Sequence, residues 1–156
     1  MIEKVVAELL SDEAERRGLL RDGQFGSRKG RSAVDAAAIT VNRAHAGWMD
    51  HHKTGVLLMD IKPAFPSVAK GRLVNLMKVR QMDGDLIQWL KSFLSDRTVE
   101  IIIKGNDMER HPVEEGVPQG SAVSPILFVI YTSGLFRWVE DYVSAGKGLF
   151  FPNDLT

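Results

Sequence analysis

One stretch constrains the fold more than any other. In Val56-Leu57-Leu58-Met59-Asp60, four apolar residues run straight into a carboxylate. Gly55 and Pro63 bound the run, and so short an apolar segment between turn residues reads as a buried strand. A carboxylate at the end of such a strand does not easily stay charged in a core. Asp60 is therefore paired, caps the next turn, or points into a cleft at the sheet edge, where it would serve a metal or catalytic role. Pro63 and Pro66 prevent regular continuation.

The chain around this stretch has 156 residues, 44% of them apolar and 26% charged. That suits one domain with a real core, or a piece of a larger protein. With no cysteine there is no disulfide framework and no thiolate metal site. No apolar run approaches the roughly 20 residues needed to span a bilayer. Met1 opens onto an amphipathic segment rather than a signal peptide. A net charge of zero argues against a chain that grips nucleic acid by bulk charge. The charge is unevenly placed, however. Arg16, Arg17, Arg21, Arg28, Lys29 and Arg31 cluster against Asp22 alone.

Ile2, Val5, Val6, Leu9 and Leu10 fall at helical spacing, Ser11 can cap a continuation to Arg17, and Gly18 ends it. Residues 21–31 hold three glycines and four basic residues and form a loop. Backbone amides of such a loop suit phosphate, although a solvated basic loop is the simpler reading. Ser32 and Asp35 look like a capping box for a helix reaching about Trp48. His45, His51 and His52 fit no standard zinc spacing and read as helix-end or surface residues. Ser67 can cap a helix carrying Leu73, Leu76, Met77 and Val79, which Gly84 breaks. A further helix carries Leu86, Ile87, Leu90 and Leu94. Thr98–Ile103 and Met108–Val113 read as a hairpin about Gly105-Asn106-Asp107.

The loop Gly116-Val117-Pro118-Gln119-Gly120-Ser121-Ala122-Val123-Ser124-Pro125 directly precedes a long apolar helix, from about Pro125 to Val143. Free amides and a Gln at a helix entrance suit a phosphate or a base. Lys147–Phe151 reads as a short strand ending at Pro152-Asn153-Asp154. This order of elements predicts an α+β domain.

Four blocks together resemble successive reverse transcriptase motifs, most closely those of non-LTR, LINE-type retrotransposons. They are Gln24-Phe25-Gly26-Ser27-Arg28-Lys29-Gly30-Arg31-Ser32, Asp60 with Ala64-Phe65, Gly116 to Ser121 with Ser124 to Phe128, and Phe151-Pro152-Asn153-Asp154. The resemblance covers nearly the whole chain, and the Gly-Val-Pro-Gln-Gly-Ser loop is its most specific part. It implies partial fingers and palm of a right-hand polymerase, with a palm sheet packed on helices. Residues of about 1–55 would be fingers-related, about 56–156 palm, and the thumb absent. It also implies template-directed nucleotidyl transfer by two Mg²⁺ ions, with Mn²⁺ as a substitute. The partners would be an RNA template, a DNA primer and deoxynucleoside triphosphates, with no membrane. The implied catalytic positions are Asp60, Asn153 and Asp154, and the implied metal positions Asp60, Ile61 and Asp154. Phe65 sits at the gate against the ribose 2′-OH. Gln119 and Gly120 sit in the loop that holds nucleotide and template, and Arg28, Lys29 and Arg31 lie in the fingers stretch near phosphates. Localisation, nuclear or cytoplasmic within the cell, is left open, because Ser27–Arg31 is too short for a nuclear signal.

The pattern also departs from the family. Asn153 stands where the first Asp of the Asp-Asp pair binds metal, and an amide oxygen brings no charge. Pro152, Pro63, Pro66 and Ala122 replace more usual residues. The chain stops at Thr156, inside the family's catalytic hairpin. These departures predict weak metal binding and little or no polymerase activity. Two other readings remain: a remnant that binds nucleic acid without catalysis, resting on the basic cluster, and a retroelement relic with no selected function. A phosphoryl-transfer enzyme of another family would also use Asp60, but nothing supplies its other ligands.

Overall fold

The computed structural model describes residues 1–56, 58, 60–101 and 109–146. Helix α1, Ile2–Arg16, turns Val6, Leu10, Glu13 and Ala14 inward, the spacing of one helical stripe. It runs through Ser11 without a break, so no cap forms there. It closes where the glycine is. Gly18 has φ +61°, its N–H donates to the Glu15 carbonyl at 2.9 Å, and the Leu19 N–H donates to the Ala14 carbonyl at 2.9 Å. This paired closure requires a left-handed residue, which glycine adopts without Cβ strain.

Helix α2, Ala33–Met49, opens on the expected capping box. The Asp35 N–H donates to Ser32 Oγ at 3.2 Å, and the Ser32 N–H to the Asp35 carboxylate at 3.0 Å. Ala36 is its buried residue, while Val34, Val41, Trp48 and Met49 are exposed. His51 sits just past the helix end at φ +60°, its N–H on the Trp48 carbonyl at 3.0 Å. His45 packs on the Trp48 ring, 5.3 Å between centroids.

The stretch expected as a buried strand is not one. Val56, Leu58 and Asp60 have no strand pairing, and Val56 and Leu58 are 64% and 86% exposed. A strand exists only by pairing its N–H and C=O groups with a neighbour. Among the described residues the sheet order contains β1 (Thr98–Ile101) and β2 (Glu109–Pro112) alone. Lys147–Phe151, the other strand expected for a palm sheet, lies outside the described residues.

A short 3₁₀ turn at Phe65–Ser67 leads into helix α3, Lys70–Val79. Ser67 does not cap α3, because its hydroxyl donates to the Ala64 carbonyl at 2.8 Å. A distant carboxylate serves instead: Glu115 accepts the Lys70 N–H at 2.9 Å. Nor does Gly84 end α3. Gln81 takes the left-handed position at φ +55°, and the Met82 N–H closes on the Met77 carbonyl at 3.0 Å. Gly84 instead opens helix α4, Gly84–Leu94, where Asp83 accepts the Asp85 N–H at 2.8 Å.

β1 and β2 pair antiparallel from Thr98 opposite Pro112 to Ile101 opposite Glu109. The hairpin pairing is as expected, and its turn lies outside the described residues. Every residue of the two strands is exposed, so this sheet contributes little to the core. Helix α5, Ser124–Gly146, follows. Leu10, Leu73, Met77, Leu90, Leu127 and Ile130 are fully buried and bring α1, α3, α4 and α5 into one cluster. The fold is α+β, a cluster of helices together with a small two-stranded hairpin.

Candidate functional site

The best-defined part of the site joins the turn after Asp60 to the loop before α5. The Val117 N–H donates to the Phe65 carbonyl at 3.0 Å, and the Gly116 N–H to the Val68 carbonyl at 2.9 Å. Gly116 has φ +88°, and a Cβ there would lie 2.9 Å from Pro66 Cα and 3.1 Å from the Pro66 carbonyl oxygen. Those atoms are backbone and cannot rotate away, so only glycine lets the loop approach this closely. The half-buried Phe65 ring meets Phe128 of α5 edge-on, 5.8 Å between centroids. Phe65 and the loop are thus one packed unit.

The same loop is tied to α1 and to the start of α5. Ser121 Oγ donates to the Glu3 carboxylate at 2.6 Å, and Ser124 Oγ to the Pro118 carbonyl at 2.5 Å. Gln119 and Gly120 stand exposed at its tip, Gly120 at φ +80°. Beside this loop is an open cleft of about 320 Å³. Ala7, Glu8 and Asp12 of α1 form one wall, Ser27 and Lys29 of the basic loop another, and Ala122 and Pro125 a third. The basic loop and the Gln119 loop, far apart in sequence, therefore face one groove.

The three cations of the basic loop have different surroundings. The Arg28 side chain is 7% exposed and forks onto the Glu15 carboxylate, Nη2 to Oε2 at 2.7 Å and Nε to Oε1. Its Nη1 donates to the Arg21 and Gln24 carbonyls. That hydrogen bond and charge from Arg28 hold the Glu15 carboxyl below its ordinary range, against the opposing effect of burial. Arg31 lies over the Phe25 ring at 5.1 Å and meets the exposed Asp22 carboxylate at 3.3 Å. Lys29 is exposed.

Asp60 lies in an irregular, exposed stretch, with the Lys62 ammonium 3.1 Å from its carboxylate. Its oxygens and the Ile61 backbone carbonyl are hard donors of the kind Mg²⁺ takes, and Lys62 competes for the same carboxylate. Among the described residues no group of three His, Cys, Asp or Glu side chains converges. The residues described here thus fit a divalent ion only in part. Asn153 and Asp154 lie outside the described residues.

Sequence reasoning missed one buried and one half-buried carboxylate. Glu13 and Glu15 anchor the end of α1, and Glu13 is 6% exposed. Its signal was present, since Glu13 falls on the same stripe as Val6, Leu10 and Ala14. Gln24 opens one of the motif blocks, but nothing local signals its burial: it is 2% exposed, and its Nε2 donates to the Val129 carbonyl at 3.4 Å. Burial and then the charges of Arg137 and Arg21 depress the Arg80 pKa.

Comparison with known proteins gives concordant matches. The family model described as reverse transcriptase (RNA-dependent DNA polymerase) matches residues 1–151. A Drosophila melanogaster protein, "Probable RNA-directed DNA polymerase from transposon BS", is 28% identical over 133 residues, 85% of this chain and 15% of that protein. The RNA-directed DNA polymerase from mobile element jockey, also of Drosophila melanogaster, is 30% identical over 112 residues, 72% of this chain and 12% of its own length. The chain thus spans a small fraction, 12–15%, of the length of these two relatives. No helix among the described residues is long and apolar enough to cross a membrane.

Proposed function

Because the chain belongs to the reverse transcriptase family, we propose that it is a fingers-and-palm portion of a LINE-type, RNA-directed DNA polymerase. Residues of about 1–55 are the fingers-related part and about 56–156 the palm. The substrates are an RNA template, a DNA primer and deoxynucleoside triphosphates. In the reaction the primer 3′-hydroxyl oxygen bonds to the α-phosphorus, and the bond to pyrophosphate breaks. The observation that carries this reading is the union of Phe65 with the Gly116 loop through the Val117–Phe65 hydrogen bond. It sets the Phe65 ring and the exposed Gln119 in one unit beside the cleft that Lys29 borders.

Within this proposal Phe65 tests the sugar, and Gln119 and Gly120 hold the nucleotide against the template. Lys29 and Arg31 supply the cationic side of the groove, with Arg28 beside them in the same loop. The family works with divalent metal ions, which when bound lower the pKa of the attacking hydroxyl and stabilise the leaving oxygen. Asp60, the Ile61 carbonyl and Asp154 would hold them. Asn153 contributes a neutral oxygen where the family places a carboxylate, so the metal is weakly held and the chain as it stands polymerises little or not at all.

Primer extension on an RNA template, with Mg²⁺ and then Mn²⁺, tests this. The chain, its Asn153→Asp variant, and that variant joined at Thr156 to the following segment of a jockey-type relative are compared. Extension is expected only after the Asn153→Asp change, and most strongly in the joined form. Equal extension by the unaltered chain would overturn the assignment of the metal position. No extension by any form would overturn the polymerase reading of this site.

A further inference from the structure

We propose that Arg28 is a positioning residue: it clamps the basic loop to α1 and leaves phosphate contact to Lys29 and Arg31. This rests on the nucleic-acid reading above and divides the labour among its three cations. A guanidinium has five N–H groups in a fixed fork. In Arg28 the Nε–H and one Nη2–H go to the two oxygens of Glu15, and the Nη1 group donates to the carbonyls of Arg21 and Gln24. One N–H is left, whereas arginine grips phosphate with two in parallel. The side chain is also 7% exposed, and its charge is already neutralised by Glu15. A cation already neutralised in this way displaces few of the counterions condensed on a nucleic acid.

The geometry shows what the clamp holds. The carbonyls of Arg21 and Gln24 begin the loop, and Arg28 draws them and itself onto Glu15 in the last turn of α1. Gln24 meanwhile reaches across to the Val129 carbonyl of α5. The loop is thereby fixed to both α1 and α5, and the residue after Arg28 is Lys29, exposed and on the cleft rim. Arg31 is held at the surface: its Nη1 donates to the Asp22 carbonyl, its Nη2 meets an Asp22 side chain that is 99% exposed, and it lies over the Phe25 ring. Such a surface pair is readily exchanged for a phosphate.

Binding of a labelled single-stranded RNA to the whole chain, followed by anisotropy over a range of salt, separates the roles. Each phosphate contact to a single strand adds about 0.7 to the slope of log K against log salt. Lys29→Gln and Arg31→Gln are expected each to lower the slope by about that amount. Arg28→Gln should weaken binding with the slope unchanged, and Arg28→Lys should fail to rescue it, because an ammonium keeps the charge but not the fork. Glu15→Gln gives opposite signs under the two roles. As the clamp's other half it weakens binding; beside a phosphate ligand, loss of its negative charge would tighten it. Tightening by Glu15→Gln, or a slope lowered by Arg28→Gln as much as by Lys29→Gln, would overturn the proposal. Should the unaltered chain show no salt-sensitive binding, the nucleic-acid reading fails by itself. The clamp is then judged by trypsin. Glu15→Gln, which leaves every cleavage site in place, should speed cutting after Arg21 and Lys29 several-fold, and an unchanged rate would refute the clamp.

Discussion

Replacing Glu13 should destabilise the chain more than any exposed ion pair would suggest. Its side chain is 7% exposed. Oε1 accepts the Asp83 N–H at 3.0 Å and Arg17 Nε at 2.5 Å, and Oε2 accepts Arg16 Nη2 at 2.9 Å. Asp83 is the N-cap of α4, so one carboxylate fastens the end of α1 to the start of another helix. The three contacts are unequal. Arg16 is 72% exposed and Arg17 31%, so each pair contributes about 0.2–1 kcal/mol at most. The backbone N–H to a charged acceptor contributes about 1.5–3 kcal/mol, and its loss leaves a donor without a partner. Glu13→Ala should therefore cost about 2–4 kcal/mol. With a urea m-value of about 2 kcal/mol/M, the unfolding midpoint falls by about 1–2 M. Glu13→Gln keeps the acceptor and should lose about half as much. Arg16→Ala should stay within about 0.5 kcal/mol of the unaltered chain. The reasoning is refuted if Glu13→Ala is equally mild, or if Arg16→Ala matches it.

Acid should weaken the fold through the same group. Burial acts to raise the Glu13 pKa, but the Arg17 hydrogen bond, the Arg17 and Arg16 charges and the Asp83 N–H outweigh it, so the folded value lies below the ordinary one. A depressed carboxyl stabilises the fold above its unfolded pKa, and that stability is lost as pH falls through the folded one. The urea midpoint should drop as pH falls below the ordinary carboxylate range, and Glu13→Gln should flatten that drop. Gly116→Ala combines a φ of +88° with a backbone clash at Pro66; it should cost at least about 2 kcal/mol and lower the thermal midpoint by about 5 °C or more. Gly120→Ala, with open space around it, should cost about 1 kcal/mol, and equal losses at the two positions would refute the steric account. Ser32→Ala should remove about 1 kcal/mol of local stability. Because α2 buries little, hydrogen exchange should speed in α2 and stay unchanged in α5.

The sequence by itself determined whatever depends on neighbours three and four residues away. The stripes of α1, α3, α4 and α5, the Ser32–Asp35 box and the Gly18 closure are all legible there, because helices hydrogen-bond locally and side chains of one face recur with the helical period. The basic loop, the Gly116 loop and the order of the motif blocks are legible for the same reason: each is continuous in the chain. Tertiary structure alone decided the rest. Val56–Asp60 has the composition of a buried strand, but a strand needs a partner and a cover that no local pattern supplies. Asp60 consequently lies exposed beside Lys62. Glu115 caps α3 from far along the chain, and Ser67, the nearer candidate, turns to Ala64. Glu13 and Arg28 carry charges that composition assigns to solvent. Arg17 and the Asp83 N–H for Glu13, and Glu15 for Arg28, make their burial tolerable, because a charge leaves water only where opposite charge and hydrogen bonds are already in place.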